Sequence, residues 1–321
     1  MTITNVTDVS LALAVWLVHD EYDYVNEPNY ISATKLMRPL RHLVLPKRIE
    51  ETQSPDVVDF ISRALGHSLH DSIEKSWKKG HKRSLSLLGY PEAVIERIRI
   101  NPTEEELKTV KNIIPIYLEQ RAIRHIDGYA VGGKFDMVAE GIVQDYKSTS
   151  AYTWLYGGRD EEHQLQGSIY RWLNPKKITE DFIRINYIFT DWKKSDARSN
   201  PAYPQKRVET KDIPLLSIAD TEKWIKDKLA LYTKYKDTPE KELPECTDAE
   251  LWRSAPQFKY YSDPTKTDGR STKNFDDLVS ARTFMASKGG KGIVITVPAE
   301  PKRCGYCEAF AACTQKDKYA L

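Results

Sequence analysis

The chain is poor in cysteine: four residues in 321 cannot staple a scaffold of this length, so its stability must come from an apolar core. Net charge is almost absent as well, since 48 lysines and arginines against 46 aspartates and glutamates leave +2. Any affinity for nucleic acid must therefore come from local basic patches rather than from the field of the whole molecule. No long hydrophobic run is present. The apolar stretch Leu11 to Val18 is too short to span a bilayer and has no basic flank before it, so a cytoplasmic protein with no membrane partner is expected. There is no G-x-x-x-x-G-K-(S/T) loop, so the chain should need no ATP of its own. What is present is 40% hydrophobic residues, enough to bury a real core.

Periodicity places the elements. Asp8 to Asp20 suggests a short helix, and Ser32 or Thr34 is suited to cap another. Arg38, Arg41, Lys47 and Arg48 lie among leucines, as a solvated basic face or as phosphate contacts. From Val57 to Lys78, apolar residues recur every three or four positions, which predicts a helix ended by Gly80. A further helix is expected from Pro102 to about Arg121, with Glu104, Glu105 and Glu106 at its positive end and Pro115 as a kink. Two strands, Lys134 to Ala139 and Ile142 to Lys147, are joined at Glu140-Gly141. Asp160 to Leu173 reads as an amphipathic helix stopped by Asn174-Pro175, Ile183 to Thr190 as a strand and Asp220 to Tyr235 as a surface helix. Beyond Lys236 the pattern weakens.

The hairpin carries the chemistry. If Glu140-Gly141 is a two-residue turn, Ala139 pairs with Ile142, Val138 with Val143, and Asp136 falls opposite Asp145. Two carboxylates about 5 Å apart destabilise a sheet unless a cation lies between them. Mg2+ or Mn2+ suits that position, because a small hard cation takes one or two carboxylates and keeps waters and substrate oxygens. Lys147 follows Asp145 by two and shares its side of the strand, whereas Tyr146 points away. A metal, two acids and an ammonium suffice for phosphodiester hydrolysis. An ordinary hairpin with exposed Asp and Lys has the same bare spacing.

Two further patterns flank the hairpin. Gly66-x-x-x-His70, with Glu74 one turn on, lies in the first long helix, where His67 is read as an ordinary polar residue; Gln166-x-x-x-Tyr170 puts an amide and a phenol one turn apart in the helix after the hairpin. Taken in order with Gly133-Lys134-Phe135-Asp136 and Asp145-Tyr146-Lys147, these resemble the RecB-type nucleases of the PD-(D/E)XK superfamily, which include the AddB nuclease domain, the CRISPR-adaptation exonucleases and many phage exonucleases. The resemblance covers roughly residues 30 to 190. It implies that Asp136 and Asp145 ligate the catalytic metal with His70 and the main-chain carbonyl of Tyr146, that Lys147 is the catalytic lysine, and that Gln166 and Tyr170 position active-site groups and the DNA strand. Ser148 and Thr149 are candidates for phosphate contacts or for a plain strand end.

Cys304-x-x-Cys307 followed by Cys313 gives three clustered thiols, with Cys246 as a remote fourth. Such a set would clip the C-terminal tail to another part of the chain. The triple spacing is similar to that of iron–sulfur nucleases in the AddB and CRISPR-adaptation group, which implies a [4Fe–4S] cluster; a structural zinc ion and unligated thiols are the alternatives. In those relatives the fourth cysteine commonly precedes the nuclease core, whereas here Cys246 takes that part.

The expected fold is α/β, a restriction-endonuclease-like core with a mixed central sheet flanked by helices. The expected division is a helical segment over residues 1–55, a nuclease core over 56–212 and a C-terminal region over 213–321 closed by the cysteine clip. The function implied is a metal-dependent DNA exonuclease, in preference to an endonuclease, acting in replication, recombination or repair, with a helicase or recombination protein as a possible partner. A phage-encoded enzyme would work in the host cytoplasm. The competing reading is a DNA-binding or assembly subunit that keeps the fold as a scaffold.

Overall fold

The computed structural model describes residues 3–21, 23–49, 54–156, 158–253 and 255–319. It divides into two compact units, Met1–Met37 with Glu51–Ala230, and Arg38–Glu50 with Leu231–Leu321. The short segment from Arg38 thus belongs with the C-terminal third.

The first unit is built on one mixed sheet. Its strands are β1 (Tyr30–Ser32), β2 (Ile98–Ile100), β3 (Ile114–Ile126), β4 (Tyr129–Ala139), β5 (Ile142–Thr149), β6 (Phe182–Phe189) and β7 (Val208–Pro214). They run in the order β2-β3-β4-β5-β6-β7, with β1 beside β4. Pairs β1–β4, β2–β3 and β5–β6 are parallel, while β3–β4, β4–β5 and β6–β7 are antiparallel. Helices α1 (Leu11–Val18), α2 (Ala33–Leu36), α4 (Ile61–Leu87), α5 (Glu92–Ile95), α6 (Glu104–Thr109), α7 (Ala151–Tyr156), α8 (Asp160–Leu173), α9 (Lys194–Ser199) and most of α10 (Ile218–Tyr235) accompany it; α3 (Leu40–Val44) belongs to the second unit. A mixed central sheet flanked by helices is the expected α/β architecture, consistent with a restriction-endonuclease-like core.

Local chemistry explains the elements that position the site. Glu140 and Gly141 both have left-handed backbones, φ 53° and 78°, as a tight hairpin turn requires, and the register is Ala139↔Ile142 and Val138↔Val143 as expected. In β6 every second residue is buried, and Ile183, Ile185 and Phe189 are fully enclosed with Ile169 and Trp172 of α8. Two glycines allow α8 to lie close. A Cβ on Gly167 would stand 2.8 Å from Ile183, and one on Gly133 would stand 2.9 Å from the Tyr170 ring. Elsewhere in the unit a cluster of Ile98, Ile116, Leu118, Met137 and Ala139 packs with Trp77 and Leu85 of α4 and with Tyr146.

Two expectations need correction. Gly80 does not end the long helix, which continues to Leu87 and stops where Gly89 turns left-handed at φ 83°. The helix expected from Pro102 to Arg121 begins with a Thr103–Glu106 capping box but ends at Thr109. From Ile114 the chain is strand β3, because Ile114, Ile116 and Tyr117 form a β-branched and aromatic run that pairs on both sides. Pro115 begins no kink; it sits near the start of a strand facing the short edge strand β2.

The second unit holds α3, a three-stranded antiparallel sheet and α11 (Leu278–Ser287). The strands are β8 (Gln257–Tyr261), β9 (Lys273–Phe275) and β10 (Ile293–Val297), ordered β10-β8-β9. Short 3-10 turns then carry the cysteines. Among the described residues no helix is long and apolar enough to cross a membrane.

Candidate active site

The central strand β4 is shared. Its first half pairs with β1 through Ala130–Gly132 and its last three residues pair with β5, so the segment between them has no strand on that side. The β4–β5 ladder stops at Met137↔Gln144, one pair short of the expected Asp136–Asp145 opposition. At that point the Asp136 side chain replaces the ladder: its Oδ2 accepts from the Tyr146 amide at 3.1 Å. The strands part there, and the gap is where the polar groups collect.

His70, on α4, faces this gap. Its Nδ1 lies 3.2 Å from Asp136 Oδ1 and its Nε2 lies 3.1 Å from the carbonyl oxygen of Tyr146. The hydrogen bond to Asp136 raises the imidazole pKa above its ordinary value, against the effect of burial. One residue that the sequence reading missed completes the set. Glu119, with a left-handed φ of 51°, sits in β3 where the ladder omits one pair without changing register, between Leu118↔Met137 and Gln120↔Phe135, which puts it opposite Asp136. Ligand atoms of His70, Glu119 and Asp136 lie within 4.8 Å of one another. Burial raises the Glu119 carboxyl, while Lys134 Nζ at 2.7 Å from Oε2 opposes that rise.

Asp145 is not one of those three. It is 2% exposed, and its Oδ2 stands 2.7 Å from Lys147 Nζ. The ammonium is the partner of that buried oxygen. Burial, reinforced by the charge of Asp136, pushes the carboxyl up to about 6, although Lys147 opposes this. Burial alone would lower Lys147, but Asp145 holds its pKa above the ordinary lysine value, so it is a cation at neutral pH.

Gln166 and Tyr170 are both buried and bonded to each other, Nε2 donating to the phenol oxygen at 3.0 Å. Tyr170 lines the same cleft as His70, Glu119 and Asp136, a space of about 770 Å3 whose walls also carry Trp16, Tyr30, Arg63, Arg121 and Lys134. Glu74 lines the cleft too, paired with Lys78 at 2.6 Å. Gly66 lies on the cleft wall, and a Cβ there would meet nothing within 4 Å. Thr149 donates to Thr153 and its carbonyl accepts from Thr190, a strand-end role. Trp154 packs edge-on against Tyr187 and Phe189 as part of the core.

The donor set is one imidazole, two half-buried carboxylates and a peptide carbonyl, with the buried Asp145–Lys147 pair beside them. Hard oxygen donors of this kind suit magnesium or manganese better than a thiophilic metal.

In the second unit Cys246, Cys304, Cys307 and Cys313 line one small cavity of about 20 Å3, with His42, Leu251 and Phe310 among its walls. None is in a disulfide. Among the described residues, no three of the sulfurs lie within 4.8 Å of one another. Burial pushes the Cys246 thiol up to about 12 and raises those of Cys304 and Cys307. Such thiols ionise only when a cation compensates them. Burial, with Arg303 and Arg38 nearby, lowers His42 to about 4, so that ring is neutral at pH 7.

No family model matches the chain, and no curated protein matches it. Among solved structures it is similar to SSO0001, at 19% identity and a TM-score of 0.42 over 68% of this chain and 84% of that one. It is also similar to a protein from Eubacterium rectale named "Putative exonuclease", at 14% identity and a TM-score of 0.27 over 64% of this chain and 78% of that one. Likenesses this distant carry no weight in assigning an activity.

Proposed function

We propose that the chain is a magnesium- or manganese-dependent deoxyribonuclease of the PD-(D/E)XK class, and that it acts as an exonuclease. The observation that carries this reading is the convergence of His70, Glu119 and Asp136 on one point of an open cleft. The Asp145–Lys147 pair, on the strand that parts from Asp136, adds to it.

His70, Glu119, Asp136, Asp145 and the Tyr146 carbonyl are the groups offered to the cation. When bound, the ion would supply Lewis acidity toward a phosphoryl oxygen and activate an attacking water. Lys147 keeps its charge because Asp145 holds it, and so is equipped to stabilise the negative charge that builds on the phosphate. Asp136 holds the Tyr146 amide and His70 Nε2 lies 3.1 Å from the Tyr146 carbonyl oxygen, so both main-chain groups of that residue are tied to the site. Tyr170, held by Gln166, is a wall of the cleft beside the nucleic-acid path. A buried carboxylate–ammonium pair on the strand that parts from Asp136 is costly to keep in an inert scaffold, which favours catalysis over the assembly-subunit reading.

In the second unit we propose that the four cysteines hold a [4Fe–4S] cluster of structural role. Zinc–sulfur bonds of about 2.3 Å give a tetrahedron with edges of about 3.8 Å. The Cys304-x-x-Cys307 and Cys313 spacing, similar to that of iron–sulfur nucleases, is what favours a cluster over a single zinc ion.

The test is digestion of single- and double-stranded DNA, labelled separately at the 5′ and 3′ ends, with magnesium, with manganese and with chelator. Mononucleotides released from an end in metal alone are expected, and Asp145→Ala and Lys147→Ala should abolish them. Internal cuts would replace the exonuclease assignment with an endonuclease. Undiminished degradation by either variant would reject the site.

A further inference from the structure

Arg41 is the second unit's most enclosed charge. It is 3% exposed, and its guanidinium is spent entirely on the surroundings of the thiols. Nη1 donates to Cys313 Sγ at 3.3 Å and also to Glu240. Nη2 donates to the Leu243 carbonyl at 2.9 Å, and Nε donates to the Pro244 carbonyl at 3.0 Å. Those two carbonyls belong to the strand of chain that leads into Cys246. Glu240 in turn accepts from the amide and hydroxyl of Thr314, the residue after Cys313. A second buried side chain repeats the pattern: Gln315 accepts from the Cys246 amide at 2.9 Å and donates to the Cys246 carbonyl at 2.8 Å.

We infer that Arg41 is a positioning residue of the four-thiol site: one guanidinium sets the remote cysteine against the clustered three and donates an N–H···S bond to the bound cluster. The inference rests on the cluster reading above. The planar fork explains why arginine is needed. Its Nε, Nη1 and Nη2 reach acceptors in three directions in one plane, which the single ammonium of lysine cannot do. Glu240 already compensates the buried guanidinium, and the net negative charge of a cluster with four thiolates would add to that on the Cys313 side. An N–H···S bond and a nearby positive charge also favour the reduced, more negative state of a cluster and so raise its potential.

The full chain and its Arg41→Lys and Arg41→Met variants are purified anaerobically. Iron, sulfide and zinc are counted, the rate of iron loss to a chelator is followed, and the midpoint potential is measured by spectroelectrochemical titration. The expected results are four irons in the wild type, about tenfold faster iron loss from Arg41→Lys, and a midpoint potential lower than wild type in both variants. Arg41→Lys retains the charge and serves if Arg41→Met fails to fold. A wild type that holds iron, with iron loss and potential unchanged in Arg41→Lys, would overturn the role of Arg41 and leave the cluster standing. A wild type that binds zinc, or no metal, would overturn the cluster reading, and the Arg41 proposal would fall with it.

Discussion

The molecule's two groups of candidate metal ligands are made of opposite materials. Around His70 the donors are hard, an imidazole with carboxylates and a carbonyl, and they line an open cleft of about 770 Å3. Around Cys246 they are four soft thiols on a cavity of about 20 Å3, walled by Leu251, Ala309 and Phe310. The oxygen site has half-buried donors already drawn into one another's company, suited to a cation that exchanges and keeps waters for chemistry. The thiol site is small and pinned by Arg41 and Gln315, suited to a group installed once. The contrast matches the proposed division, with chemistry in the first unit and a structural cluster in the second.

The sharpest way to break this division is to remove charge from the first site. Lys147→Ala and Asp136→Ala are each expected to lower DNA degradation by about a hundredfold or more, without changing the metal content of the second unit. Loss of bound iron from either variant would show that the two sites are not separate in role. The converse variant, Cys246→Ala, is expected to weaken metal retention in the second unit by about a hundredfold, measured by metal analysis after dialysis. Its first-unit cation affinity should be unchanged in a manganese titration.

Glu119→Gln sharpens the first site from within. Activity is expected to fall about tenfold, with most of it recovered at high magnesium, since one donor of three is weakened and not removed. This residue was hidden in the sequence. The acid-rich run from Glu104 to Glu106 advertised a helix, and the expected helix ran on to about Arg121, across Glu119. The β-branched run after Ile113 was the available signal. By contrast His70, Asp136, Asp145, Lys147, Gln166 and Tyr170 were singled out in the sequence: Asp136, Asp145 and Lys147 from hairpin register and strand period, and His70, Gln166 and Tyr170 from the order of short motifs that resembles a nuclease family. The parting of β4 and β5 was not legible: it depends on a side chain outcompeting a backbone carbonyl for the Tyr146 amide. The small sheet of the second unit escaped for a different reason, since its strands are three to five residues long and partly exposed.

Acidity separates the sites more gently. The Asp145 carboxyl is raised to about 6 and His70 is raised above the ordinary imidazole value, so the folded first unit takes up protons more readily than the unfolded chain. Asp145 therefore costs the metal-free fold stability as pH rises from about 4 to about 6. The stability contributed by His70 is present below about 6.5 and lost as pH climbs through its higher folded value. Without metal, melting should be lower at pH 7.5 than at pH 5.5, and magnesium should raise it at pH 7.5 far more than at pH 5.5. An equal magnesium effect at both values, seen by calorimetry, would remove these two groups from the cation site.

The smallest expected effect contrasts two glycines. Gly66→Ala should be neutral or stabilising by up to about 1 kcal/mol, because it lies within α4 and its Cβ meets open space. Gly133→Ala should destabilise by about 1–3 kcal/mol, because its Cβ would press on Tyr170. Denaturant midpoints decide both.

The most direct measurement is a manganese titration of the whole protein, followed by the loss of the free-ion electron paramagnetic resonance signal, in wild type, His70→Ala, Glu119→Gln and Asp136→Asn. Tight uptake by the wild type and weaker uptake by all three variants is the predicted result. Wild-type affinity in the three variants, or no uptake by the wild type, would contradict a cation held at the parting of β4 and β5.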